Sequence, residues 1–173
     1  MRSGAGNFGG FVEETFDTAY RFAFCLSLAH DRAARLVETT FHEADLLGKS
    51  DSNAVLDKTW VLETLHRKWR ACHPVPPLVK TEDLPASGEA LATLEEVDEL
   101  ECDAVLKVLH GMIPAYRLVL SLFYFEQLSH HEIARIVDLP SETVLTRLAQ
   151  AKVSLRQMLG RSRPPAISAD GPG

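Results

Sequence analysis

A chain of 173 residues, 46% apolar and 24% charged with a net charge of -6, can bury one moderate core or two small ones and is short for a large enzyme. The opening MRSGAGNFGG carries no apolar run, and no segment approaches the roughly 18 uninterrupted apolar residues a membrane span needs. A signal peptide and a membrane location are therefore not expected, and the chain is assigned to the cytoplasm.

Apolar residues recur at helical spacing throughout and no alternating strand pattern or repeat is present, which predicts an all-α protein. In the first lobe Phe8, Phe11, Val12, Phe16, Ala19, Ala23 and Leu26 give one helix a broad apolar stripe, interrupted at His30-Asp31. A second helix is expected from Asp31 to Leu47, ending near Gly48, with Leu36, Val37, Phe41, Ala44 and Leu47 inward. A third is expected from Asn53 to Arg70, with Val55, Leu56, Trp60, Leu62 and Leu65 inward. Together they predict a three-helix bundle over residues 8–72.

The run from His73 to Ala90 holds four prolines, a Ser-Gly pair and several acids, and residues 73–99 are read as a flexible acidic linker. Nine acids against Lys80 alone put -8 between Lys80 and Asp103, so the rest of the chain sums to +2. From Ala115 to Arg163 seven bases face four acids, so the overall acidity does not exclude a nucleic-acid partner for the last lobe.

The second lobe is expected over residues 100–160. A first helix, with Leu100, Ala104, Leu106 and Leu109 inward, ends near Leu109 to Met112, and Pro114 suits the first turn of an apolar helix through Val119, Leu122 and Tyr124. Ser129 and Glu132 match a capping box, Asp138-Leu139-Pro140 stops that helix, and Ser141 is placed to cap another with Val144, Leu148, Ala151 and Leu155 buried. Helix, short break, helix is the pattern of a DNA-reading helix pair as well as of a plain packing hairpin. Outward polar positions Glu142, Thr143, Thr146 and Arg147 favour the first. Residues 161–173, rich in Gly and Pro, are read as a disordered tail.

The stretch IPAYRLVLSLFYFEQLSHHEIARIVDLPSETVLTRLAQAKVSLRQML resembles the DNA-binding fourth region of bacterial extracytoplasmic-function sigma factors. The family's Leu-Pro, Glu-Ile-Ala, Val-x-Ser-Arg-Leu and Ala-Arg-x-x-Leu-Arg signatures stand here as Ile113-Pro114, Glu132-Ile133-Ala134, Val144 to Leu148 and Ala151 to Arg156. AYRFAFCLSLAHDRAARLVETTF and DKTWVLETLHRKWR resemble the family's second region more loosely. The resemblance implies a dissociable polymerase subunit: the first lobe docks on core RNA polymerase and opens the promoter, the second grips the upstream element, and the linker threads the polymerase channel. It also implies an anti-sigma factor as partner.

On that resemblance the DNA-binding set is Ser141, Glu142, Thr143, Leu145, Thr146, Arg147, Gln150, Lys152 and Arg156. Single-stranded promoter DNA is assigned to Arg67, Lys68, Trp69 and Arg70, where cations meet an aromatic, although a solvated helix end reads the same way. The polymerase-binding set is Arg32, Arg35, Leu36, Glu38 and Phe41. The chain departs from the family there: Arg32-Ala33-Ala34-Arg35 replaces an acidic Asp-Ala-Glu-Asp, and Leu145 replaces a common Lys. These departures keep open a second reading, a sigma-like regulator that binds an anti-sigma factor or other partner without initiating transcription; a stand-alone helix-turn-helix regulator leaves the first lobe unexplained.

Three phosphate contacts, from Arg147, Lys152 and Arg156, imply a salt slope of only about -3, and one or two base contacts add roughly 1–3 kcal/mol each. Such a helix reads DNA only when tethered to a larger assembly, at an effective concentration of about millimolar. No catalytic motif or nucleotide-binding glycine pattern occurs, and an enzyme is not expected. Cys25, Cys72 and Cys102 form no CxxC pair and are read as reduced and mostly buried; His66, Cys72 and His73 lack a fourth ligand, so no metal or other cofactor is expected.

Overall fold

The computed structural model describes residues 5–51, 53–73 and 102–162. They form seven α-helices: α1 Ala5–Ser27, α2 His30–Ser50, α3 Lys58–Cys72, α4 Cys102–Gly111, α5 Pro114–Tyr124, α6 His130–Val137 and α7 Ser141–Ser162. The all-α expectation is borne out, while the acidic connector and the Gly/Pro-rich tail lie outside the described residues.

Helix ends follow local chemistry. The Asp57 carboxylate accepts the Trp60 N–H at 2.8 Å and starts α3 there, five residues after the expected start at Asn53. Asn53 instead donates its own N–H to Asp51 in a turn, which leaves Val55 outside the helix and 77% exposed rather than inward. Helix α2 continues through Gly48 to Ser50. Pro114 occupies the first turn of α5, where a missing N–H costs nothing.

Helices α1, α2 and α3 pack together, as do α4, α5, α6 and α7, and α1 meets α5 while α3 meets α6. One apolar core therefore runs through both lobes, from Phe22, Leu62 and Leu65 to Val119, Leu122, Ile133 and Val144. Phe16, expected inward, is 45% exposed and stacks on Tyr20 and Phe41.

Two polar residues of the α5 segment cross between the lobes. Arg117, 7% exposed, donates to Leu109 O and Met112 O at the end of α4 and to Leu26 O at the end of α1, at 3.1–3.2 Å. A guanidinium there satisfies carbonyls that helix ends leave unpaired and complements both dipoles. The Glu126 carboxylate, 1% exposed, accepts from Arg21 Nε at 2.9 Å. Lys58 Nζ stands 3.0 Å from its Oε2, an ion pair off the hydrogen-bonding direction, because that oxygen has no aligned donor.

Cys25 is buried, and burial pushes its thiol up to about 11. Cys72 is exposed, contrary to its expected burial, because it lies at the end of α3 beyond the packed stripe.

Candidate DNA-reading helix pair and its surroundings

Helix α6 starts as the sequence predicts. Ser129 Oγ accepts the Glu132 N–H at 3.3 Å and Glu132 Oε2 accepts the Ser129 N–H at 2.8 Å, completing a capping box. Those bonds favour the ionised form of Glu132 and hold its pKa below the usual carboxylate range. Ile133, Ala134, Ile136 and Val137 bury the inner face. The helix ends on Asp138 in the left-handed region at φ 53°, a conformation that Asp tolerates better than most side chains.

Helix α7 follows after Leu139 and Pro140. Its first helical bond runs from Val144 N–H to Pro140 O at 3.1 Å, so Ser141 lies inside the first turn and does not cap it. The Ser141 hydroxyl instead pairs with the His131 ring at 3.0 Å, fastening the start of α7 to α6. Val144, Leu148, Ala151 and Leu155 form the buried stripe that the spacing predicts.

The nine residues assigned to duplex DNA separate into groups. Glu142 is exposed and Leu145 is 46% exposed; three residues apart on one helix, they share a face. Thr143 is half-buried beside them, and Arg156 is exposed further along α7. Thr146 donates its hydroxyl to Glu142 O at 3.0 Å, and Gln150 Oε1 accepts from the Tyr116 hydroxyl at 3.2 Å. Lys152 Nζ lies 4.7 Å from the centre of the Phe123 ring, and burial lowers its pKa. The ammonium is held over α5 aromatics, and the expected phosphate contact from Lys152 requires it to leave them. Arg147 is half-buried with its Nε sealed and without an acceptor, and burial first, then Arg70, lowers its pKa.

The four residues assigned to single-stranded DNA are also placed differently from one another. Trp69 is 3% exposed and its ring stacks on His73 at 5.4 Å, so no base can reach it in this conformation. The apolar stripe of α3 claims that ring, which sequence spacing alone left ambiguous. Arg67 and Lys68 converge on Glu43 of α2, and Lys68 is first among the causes that lower the Glu43 pKa. Arg70 is exposed.

On α2, Arg32, Arg35 and Glu38 face outward, and Arg35 pairs with Asp31 at 3.2 Å one turn away. Leu36 and Phe41 are half-buried; the Phe41 ring meets Phe11 edge-on at 5.9 Å, so these two residues brace the helix more than they present a surface.

No motif marks Arg117, Glu126 or Asp57, and His66 stands out in the sequence only as a candidate metal ligand. His66, 6% exposed between α3 and α6, is kept neutral: burial first, then the neighbouring Arg70, lowers its pKa to about 4. No spacing rule marks a lone histidine or glutamate as buried across a lobe boundary.

A capped helix, a left-handed turn and a second helix with open polar and apolar residues at its start form a helix-turn-helix. Residues 102–155 match the family model of sigma-70, region 4. The whole fold is similar to that of the sigma factor RpoE in its co-crystal structure with the anti-sigma factor NepR from Bartonella quintana. That match has a TM-score of 0.66 and 18% identity, covering 91% of this chain and 99% of that one. No curated protein matches the chain by sequence. The second lobe is thus similar to sigma-70 region 4, the region its motifs resemble, and the chain shares its overall fold with a sigma factor.

Proposed function

We propose that the protein is an extracytoplasmic-function-type sigma factor, a cytoplasmic subunit that binds core RNA polymerase and directs transcription initiation. Its α6–α7 pair reads an upstream promoter element, and its first lobe docks on the polymerase through the outward face of α2, with Arg32, Arg35 and Glu38. Helix α3 contributes Arg70, together with Arg67 and Lys68 once they leave Glu43, to the opened strand. The observation that carries this reading is the start of α7, where Glu142 and Leu145 stand open on one face beyond a fully capped α6. A groove-inserted helix presents such opening residues to base edges. Among the described residues no helix is long and apolar enough to cross a membrane, which agrees with action on polymerase and DNA.

In vitro transcription with purified core polymerase and a pool of genomic fragments tests the proposal. Discrete start sites are expected, and Glu142→Ala with Leu145→Ala should abolish selection among fragments while leaving core binding intact. A failure to bind core polymerase would overturn the reading.

A second reading has its own support. Arg32 and Arg35 put two cations at the start of α2 where the resembled family carries acids, and the structural neighbour is described in complex with an anti-sigma factor. In that reading the chain is a sigma-like regulator captured by an anti-sigma partner without initiating transcription. Charge reversal of Arg32 and Arg35 to Asp separates the two: gained core binding supports a surface weakened for polymerase, whereas lost core binding places the arginines in the polymerase contact.

A further inference from the structure

Where α3 meets α6 the two lobes do not close completely. A cleft of about 640 Å³ remains, walled on the α3 side by Glu63, His66, Arg67 and Arg70 and on the other by Arg135 and Asp138. Its volume falls within the range of small-ligand sites. The α3 residues lie three or four apart and so share one helix face, which turns their side chains toward α6.

The charges in the cleft are unevenly matched. Three arginines face two carboxylates. Arg67 is paired with Glu43, outside the cleft, and Arg135 reaches Glu63 only through a long 3.4 Å contact. Among the described residues Arg70 has no ion pair, and beside it the buried Nε of Arg147 on α7 has no hydrogen-bond acceptor. Neutral His66 brings a hydrogen-bonding ring without adding charge. Arg67, Arg70 and Arg135 are solvent-exposed at the mouth of the cleft and outnumber its carboxylates, and planar guanidinium forks match the oxygens of a phosphate two at a time.

We propose that this interlobe cleft is a binding site for a phosphate-bearing small molecule, held by Arg70 and Arg135 with Arg67 swinging in from Glu43. The ligand bridges α3 of the first lobe and α6 of the second, so its binding favours the packed arrangement of the lobes. It also occupies Arg70, which the promoter reading assigns to nucleic acid, and so competes with DNA by mass action. The site is independent of that reading, since it requires neither polymerase nor promoter.

The test uses the full chain at constant ionic strength, titrated by calorimetry with inorganic pyrophosphate and, separately, with ATP. Binding of at least one is expected, together with a rise in melting temperature that chloride at equal ionic strength does not give. ATP binding at least tenfold tighter than pyrophosphate identifies a nucleotide as the ligand, and equal affinities identify the phosphate group alone. Arg70→Ala and Arg135→Ala should each weaken the binding at least tenfold with helix content unchanged, while Arg161→Ala, at the far end of α7, should not. Binding of neither anion at millimolar concentration would overturn the proposal. So would equal binding by the Arg70→Ala chain, or binding confined to a single-stranded oligonucleotide.

Discussion

His66 sits 6% exposed at the meeting of α3 and α6, and its surroundings make its protonation costly. In the unfolded chain it takes a proton near pH 6.5, but in the folded protein only near about 4. Above pH 6.5 both states are neutral and the group has no effect. As pH falls below 6.5 the unfolded state binds a proton that the folded state refuses, so stability declines until about pH 4, by on the order of 3 kcal/mol in all. Glu43 and Glu132, whose pKa values are lowered, add their own losses only at lower pH. Urea unfolding at pH 7 and pH 5 should therefore show a loss of about 2 kcal/mol in the native chain. The difference should nearly vanish in His66→Asn; an unchanged difference in that variant would show that another group titrates.

At the scale of elements, the helix pair is held by two kinds of end chemistry. The Ser129 and Glu132 bonds form a capping box, so Ser129→Ala should cost about 1 kcal/mol and fray α6 before any other helix. Gln127, between α5 and α6, sits at φ 54° without the freedom of glycine. Gln127→Gly should then stabilise the protein by about 0.5–1 kcal/mol, whereas Gln127→Val should destabilise it, by thermal or urea unfolding. The capping box and the Pro114 start were legible in the sequence because they depend on residues within one turn of each other. The Asp57 cap was legible in principle, since an Asp stands directly before an apolar-periodic run, but Val55 and Leu56 extended the stripe backwards and obscured it. The true role of Ser141 was not legible, because the partner that claims its hydroxyl, His131, lies on the preceding helix. Lys152 and Trp69 show the same limit: a side chain able to bind DNA and one able to pack look alike until the ring or stripe beside it is placed.

The whole molecule raises the question of whether the two lobes fold as one unit. Spacing and composition described each lobe but carried no signal of their contact, because the core between them joins Leu26 to Arg117 and Arg21 to Glu126 over about a hundred residues of chain. Both tryptophans, Trp60 and Trp69, belong to α3, so selectively excited tryptophan fluorescence reports the first lobe while far-UV circular dichroism reports every helix. A shared core predicts coincident melting by both probes, the signature of a single cooperative transition. Glu126→Ala removes the carboxylate that Arg21 and Lys58 approach. Both cations are almost half exposed, so water replaces much of the lost interaction and the expected cost is only about 1–2 kcal/mol. That corresponds to a fall of several degrees in melting temperature for a chain of this size. The fall should appear equally in fluorescence and in dichroism, although Glu126 lies in the second lobe and the tryptophans in the first. A shift confined to dichroism would show that α1 and α3 melt independently of α5 and α6, and that the buried contacts at Arg117 and Glu126 do not couple the lobes.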